Sequence, residues 1–321
     1  MEYFTIAGTD LEVSAVGYGC MGLGGGWNSN PVSTDDINAA RIAMETALES
    51  GINLFDHADI YAFGKAEACF GKVLSAAPEL RQRMVLQSKC GIRLEDPESG
   101  APQRYDLSRD WILHSVEGIL ERLGIDCLDI LLLHRPDPLM RPDEIAEACS
   151  LLHAQGKVRW FGVSNFHHGQ IELLQQSLDF PLIINQIQLS LVHSQLIDNG
   201  VTWNSSPVAA DATIEHCYQR EIQLQAWGSL DGGILTGRGV PESRPELSQA
   251  ADTVSRLATQ LGVSPEATAL SWIMKHPARI QPIIGTTHPG RIAACAQAER
   301  DLLDRDQWYQ LYTAVRGHSI P

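Results

Sequence analysis

The chain lacks any apolar run approaching the roughly 18 residues that would suggest a membrane-spanning helix. Its first residues, Met1 to Thr5, carry neither the basic nor the apolar region of a secretory leader. Basic residues are scarce, 24 Lys and Arg against 39 Asp and Glu. The resulting net charge of −15 argues against nucleic acid or an anionic membrane as a general partner. The seven cysteines are odd in number and scattered, with no C-x-x-C pair, so reduced thiols in a soluble, cytoplasmic protein are expected. Neither H-x-H nor H-E-x-x-H occurs; His57-Ala58-Asp59 and His167-His168 do not supply the spacing a metal-dependent barrel hydrolase needs, so no metal is expected. No Pro/Gly/Ser-rich linker divides the chain, and residues 1–321 are read as one domain.

What the sequence does have is alternation. Residues 3–6 and 11–13 flank Gly8-Thr9-Asp10 as a short β-hairpin. A strand at 13–19 runs into the glycine-rich loop 19–26, and Ser33 caps a helix reaching about Ser50, ended by Gly51. Strands are then expected at 52–55, 84–88, 128–133, 158–163, 182–188, 222–227 and 281–284. The helices between and after them are expected at about 66–75, 108–123, 143–155, 168–177, 211–220, 265–275, 289–299 and 304–315. Eight such βα units imply right-handed crossovers and a closed α/β (β/α)8 TIM barrel with an N-terminal hairpin and extra loops; a doubly wound sheet is the alternative. Segments 91–107, 190–210 and 228–250 are too long for simple connectors, and the first two should rise over the face where such barrels keep their chemistry.

Several strands end in polar residues. Asp56, Tyr61, Lys89 and His134 all fall at or just past predicted C-terminal strand ends, where barrel chemistry gathers. A tyrosine with its usual pKa near 10 is a poor acid at neutral pH. A neighbouring ammonium favours the phenolate and should lower that pKa, and a carboxylate would hold the ammonium in place. A histidine opposite could orient a carbonyl oxygen. Such a group protonates a forming alkoxide, or takes a proton from an alcohol. Taken alone, Asp56 and Lys89 are equally readable as an ordinary buried ion pair.

The strings F-D-H-A-D-I-Y at 55–61, Q-S-K-C-G at 87–91, L-D-I-L-L-L-H-R-P at 128–136 and G-K-V-R-W-F-G-V-S-N-F at 156–166 resemble the aldo-keto reductase superfamily. The resemblance covers almost the whole chain. It implies hydride transfer between a nicotinamide cofactor and an aldehyde or ketone. Tyr61 would be the general acid/base, Lys89 and Asp56 would tune it, and His134 would align the carbonyl. Ser164, Asn165 and Gln186 match the groups that hold the nicotinamide carboxamide, and Trp227 the aromatic that stacks on its ring.

Gly228, Ser229, Leu230 and Gly232 stand where family members often have Ser-Pro-Leu, and their backbone should cradle the pyrophosphate, with Asp231 an acidic intruder. Gly285, Thr286, Thr287 and Arg291 match the 2′-phosphate segment. The arginine favours NADP(H) over NAD(H), although Gly285 replaces a frequent lysine, and Ala294 and Cys295 replace an acid and amide pair. The loop at 19–26 is not a Rossmann fingerprint, since it opens no βαβ dinucleotide unit. Cys20, Met21, Trp27 and Ile60 are the expected apolar lining near the reacting carbon, and Trp203 would cap it or anchor its own loop. Few residues follow the last predicted helix, so an open pocket for varied carbonyl compounds is expected. The competing expectation is a regulatory or scaffold subunit on the same fold, as in potassium-channel β-subunits, which resemble reductases.

Overall fold

The computed structural model of the protein describes residues 1–202 and 212–320. Eight parallel strands close into a barrel: β1 (Gly17–Gly19), β2 (Leu54–Asp56), β3 (Val85–Cys90), β4 (Leu128–Leu133), β5 (Val158–Ser164), β6 (Leu182–Gln188), β7 (Gln223–Trp227) and β8 (Gln281–Ile284). Neighbours around the barrel follow chain order, and β8 pairs back onto β1. Helices lie between successive strands, from Thr34–Glu49 after β1 to Pro289–Cys295 after β8, with Arg305–Arg316 last. The (β/α)8 expectation holds.

The two-residue period of the strands sorts their side chains into two layers. Leu54, Val85, Ile130, Leu132, Ile184 and Ile283 form one apolar cluster. Phe55, Leu86, Leu131, Leu133, Ile187 and Ile284 belong to the larger one with the helices. Ile6, Leu11 and Val13, from the N-terminal hairpin, join the smaller cluster. That hairpin pairs Tyr3–Thr5 with Glu12–Ser14 and packs against the barrel's inner apolar layer. The register opposes Asp56 to Gln87 and Lys89 to Leu132, putting polar residues on the inward side two steps beyond Leu54 and Val85.

Five expectations need correction. The strand read at 13–19 is two elements, because Ser14 ends the hairpin and its hydroxyl donates to the Val16 carbonyl (2.7 Å), turning the chain before β1. The segment 91–107 holds its own antiparallel pairing, Ile92–Arg93 with Arg104–Tyr105. Gln195–Thr202 and Ser248–Leu261 are helices inside or beside segments read as loops. The helix expected over 289–299 stops at Cys295. Trp203 and the turn signal Ser205-Ser206-Pro207 lie outside the described residues.

Candidate active site

The polar strand ends converge. Lys89 is fully buried, and its ammonium has three hydrogens to place. It donates to Asp56 Oδ2 (2.8 Å), to the His57 carbonyl (2.9 Å) and to the Tyr61 hydroxyl oxygen (3.0 Å). Asp56 is occupied on its other oxygen by Gln87 Nε2 at 2.6 Å. The His134 ring stands edge-on to Tyr61, centroids 5.9 Å apart at 80°. Sequence spacing thus brings Asp56, Tyr61, Lys89 and His134 into one place.

Their titration differs in one respect from the sequence expectation. Burial pushes the Tyr61 phenol above its usual range, and this outweighs the pull of the Lys89 ammonium; Asp56 adds to the rise. Tyr61 therefore holds its proton at neutral pH, with an ammonium already directed at the oxygen that would bear the charge once the proton leaves. Lys89 is moved upward even though its burial opposes the charge, because Asp56 and Tyr61 both favour the ammonium. His134 is driven well below the usual imidazole value, first by burial, then by Lys89 and Arg135. It is a neutral ring at pH 7, suited to hydrogen bonding and unsuited to acid catalysis.

A row of amides runs inward from this cluster. Gln87 Nε2 donates to Gln225 Oε1 (2.9 Å), and Gln225 Nε2 returns a bond to Gln87 Oε1 (3.2 Å) and reaches Gln281 Oε1 (3.0 Å). Gln186 Nε2 also donates to Gln225 Oε1 at 3.0 Å, and Gln281 Nε2 donates to the Ser14 carbonyl at 2.6 Å. Sequence reasoning missed Gln87, Gln225 and Gln281; their only signal was a polar residue at an inward-facing strand position.

The positions expected to meet a cofactor form two groups. Asn165, in left-handed backbone conformation at φ 63°, follows β5. Its amide donates to Ser164 Oγ (2.8 Å) and the His134 carbonyl (3.2 Å), and accepts from Trp227 Nε1 (2.9 Å). Gln186 joins this group through its backbone carbonyl, which accepts from Ser164 Oγ at 2.8 Å, while its side-chain amide belongs to the row. Arg135, unanticipated, places its guanidinium 5.5 Å from the centre of the Trp227 ring.

In the second group, Gly228, Asp231, Gly232 and Gly233 all have positive φ. A Cβ at Gly233 would lie 2.5 Å from Arg291 Nη2, so a larger residue there would be strained at φ 88° and would push the guanidinium from its present place. Ser229 is turned inward, its hydroxyl bonded to the Ile283 carbonyl at 2.9 Å, while Leu230 is half-buried against the core. Arg291 Nε is paired with Glu266 at 3.1 Å and its Nη2 bonds Thr236 at 3.3 Å. Asp231 faces Arg244 at 3.5 Å. Glu266 and Arg244 carry no sequence signal, because both act across long stretches of chain. Gly285 and Thr287 are exposed, and Thr286 Oγ1 accepts the His288 amide.

Of the expected substrate lining, Met21 and Trp27 are exposed, with Trp27 edge-on to Phe63 at 5.5 Å. Ile60 is half-buried. Cys20 is completely buried near Asp56 and Lys89, so it offers no surface to a ligand.

Asp59 was not singled out, yet burial raises its carboxyl from 3.8 to about 7; Glu67 adds to the rise, while Arg122 and Ser115 oppose it. The folded state then binds more protons than the unfolded chain between those values, so stability falls as pH rises through that window. An Asp59→Asn protein should lose this dependence. Its thermal midpoint should gain on the wild type from about pH 4 to about pH 7, and parallel midpoints across the range would refute it.

Among the described residues no helix is long and apolar enough to cross a membrane, and no group of three or more His, Cys, Asp or Glu is placed to hold a metal ion. The barrel with its cluster at the strand ends has close counterparts. Residues 15–315 match the model of the Aldo/keto reductase family, and the chain belongs to that family. It is 36% identical over 315 residues to a Bacillus subtilis (strain 168) protein named as an uncharacterized oxidoreductase, YcsN, covering 97% of each chain. It is 33% identical over 312 residues to a 6-dehydroglucose reductase of Agrobacterium fabrum, again with 97% of each covered. Among solved structures, a glycerol dehydrogenase from Gluconobacter oxydans superposes with a TM-score of 0.81 at 25% identity, covering 99% of this chain and 96% of its own. The protein is an oxidoreductase of this family, and the family acts on carbonyl compounds.

Proposed function

We propose that the protein reduces aldehydes or ketones to alcohols, reversibly, with NADPH as the preferred cofactor, and that its chain works as one barrel domain in the cytoplasm. The observation that carries this is Lys89, whose three donors go to Asp56, a backbone carbonyl and the oxygen of Tyr61. An ordinary buried ion pair has no reason to include a phenol. In the reduction, Tyr61 gives its proton to the carbonyl oxygen, and Lys89 meets the negative charge left on the phenol. Asp56 keeps Lys89 charged and in position. Neutral His134 holds the carbonyl oxygen by a hydrogen bond.

The residues around Asn165 suit a nicotinamide, whose carboxamide needs both donors and acceptors. Ser164 and Asn165 supply a hydroxyl and an amide that hold each other, Gln186 an amide held by Gln225, and Trp227 presents a half-exposed ring beside them. When bound, the reduced cofactor supplies the hydride. Backbone at 228–232, with positive φ at Gly228, Asp231 and Gly232, suits the pyrophosphate, and Gly285, Thr286, Thr287 and Arg291 the 2′-phosphate. Arg244 supports this by drawing the Asp231 carboxylate to itself.

The test is a panel of carbonyl compounds, including hydroxylated aldehydes, followed at the absorbance of the reduced cofactor with NADPH and NADH in parallel. Turnover on no member would leave a binding-only subunit and overturn the proposal. Arg291→Ala should raise KM for NADPH about 10- to 100-fold, the equivalent of one charge-assisted contact, with little change for NADH. Equal changes for both would remove phosphate binding from Arg291, since loss of the Glu266 pair affects both cofactors alike.

A further inference from the structure

A cavity of about 390 Å³ opens between the Asp59–Phe63 segment, the paired strands at 92–105 and the helix Arg109–Leu123. Tyr61, Lys89, His134 and Trp227 do not line it, so it is separate from the cluster described above. Its volume lies within the range of roughly 300–1,000 Å³ typical of small-molecule sites. Three of its residues carry buried polar atoms without a hydrogen-bond partner: Asp59 Oδ1, Trp111 Nε1 and Ser115 Oγ. Ser115, only 5% exposed, lies beside Asp59 and holds its carboxyl down, yet Asp59 Oδ1 and Ser115 Oγ make no hydrogen bond of ordinary geometry. Buried polar groups are almost always paired, so three orphans on one cavity wall point to a partner that is not part of the chain.

The lining says what kind of partner. Two of its guanidinium groups are already answered, Arg93 by Asp106 at 2.9 Å and Arg122 by Glu67 at 2.8 Å; Arg104, near Asp96, gives Nη1 to the Pro102 carbonyl at 3.2 Å. An anion would find two of the three guanidinium groups already engaged by carboxylates, with Asp59 on the same wall. What remains unanswered is one carboxyl oxygen and two hydrogen donors. A hydroxyl group both donates and accepts, so neighbouring hydroxyls on one small molecule can meet all three. Ile60, Phe63 and Ile92 on the same walls suit its C–H surfaces. We propose that this cavity is a second ligand site, for a neutral polyhydroxylated molecule such as a polyol or a small sugar.

The indole N–H of Trp111 is a built-in reporter. In protein labelled with 15N at its tryptophans, loss of one indole signal in Trp111→Phe assigns it. Glycerol, sorbitol and glucose are titrated, with inorganic phosphate as the anion arm. The expected result is a saturable shift of the Trp111 signal with at least one polyol or sugar, and none with phosphate. Ser115→Ala should weaken that binding about tenfold while leaving the other indole signals in place, and Asp59→Asn should weaken it as well. No saturation with any of the three compounds, or saturation by phosphate alone, would overturn the proposal. So would an unaltered affinity in both variants. Because the readout needs no turnover, a negative result here is separable from failure of the reductase assignment.

Discussion

Replacing Tyr61 with phenylalanine is expected to lower kcat about 10²- to 10⁴-fold, the usual worth of a positioned acid. The ring would keep its place against His134, and only the oxygen that Lys89 addresses at 3.0 Å would be lost. Cofactor affinity, read by quenching of tryptophan fluorescence, should hardly change, since Tyr61 makes none of the contacts among Ser164, Asn165 and Trp227. Retained turnover would show that another group delivers the proton. A matching loss of cofactor affinity would recast Tyr61 as a packing residue.

Lys89→Met is expected to do damage of two kinds. The Asp56 carboxylate, its side chain 3% exposed, would be left in the barrel without its cation, with the Gln87 amide its remaining side-chain partner among the described residues. Breaking a buried pair from one side costs about 3–5 kcal/mol, which a denaturant midpoint would register. Turnover should collapse as well, because the phenol would lose the cation that receives its charge. Adding Asp56→Asn to Lys89→Met removes the stranded carboxylate. That double variant should recover much of the stability and none of the activity. A single Lys89→Met protein as stable as wild type would mean that the charge is not held as the geometry indicates.

Much of this architecture was legible beforehand because strands and tips carry local signals. Apolar runs ending in Asp56 and Lys89 mark buried parallel strands whose last inward residue is polar, and the observed register keeps both inward, with His134 one residue past the end of its strand. The helix Ser248–Leu261 escaped notice for a physical reason. Its apolar positions Ala250, Val254, Leu257 and Ala258 have the right spacing, but Leu247 stands at its N-cap and makes no side-chain capping bond. Gln195–Thr202 contains Asp198-Asn199-Gly200, a turn signal that tertiary packing overrides. The acidity of Tyr61 was misjudged because sequence reveals the lysine beside it and not the depth of burial around both. Glu266 with Arg291, and Asp231 with Arg244, are pairings across the fold that no local pattern announces.

The row of side-chain amides inside the barrel is bounded by acceptors at both ends, the Asp56 carboxylate and the Ser14 carbonyl. Neither end can donate, so polarity must flow outward from the middle, and Gln225 is where it divides, sending its nitrogen toward Gln87 and Gln281 together. Turning any one carboxamide over would set oxygen against oxygen somewhere along the line. Gln186 is thereby compelled to face Gln225 with nitrogen. The orientation of a group on one wall is dictated by a carboxylate on another, a compass needle set from across the barrel.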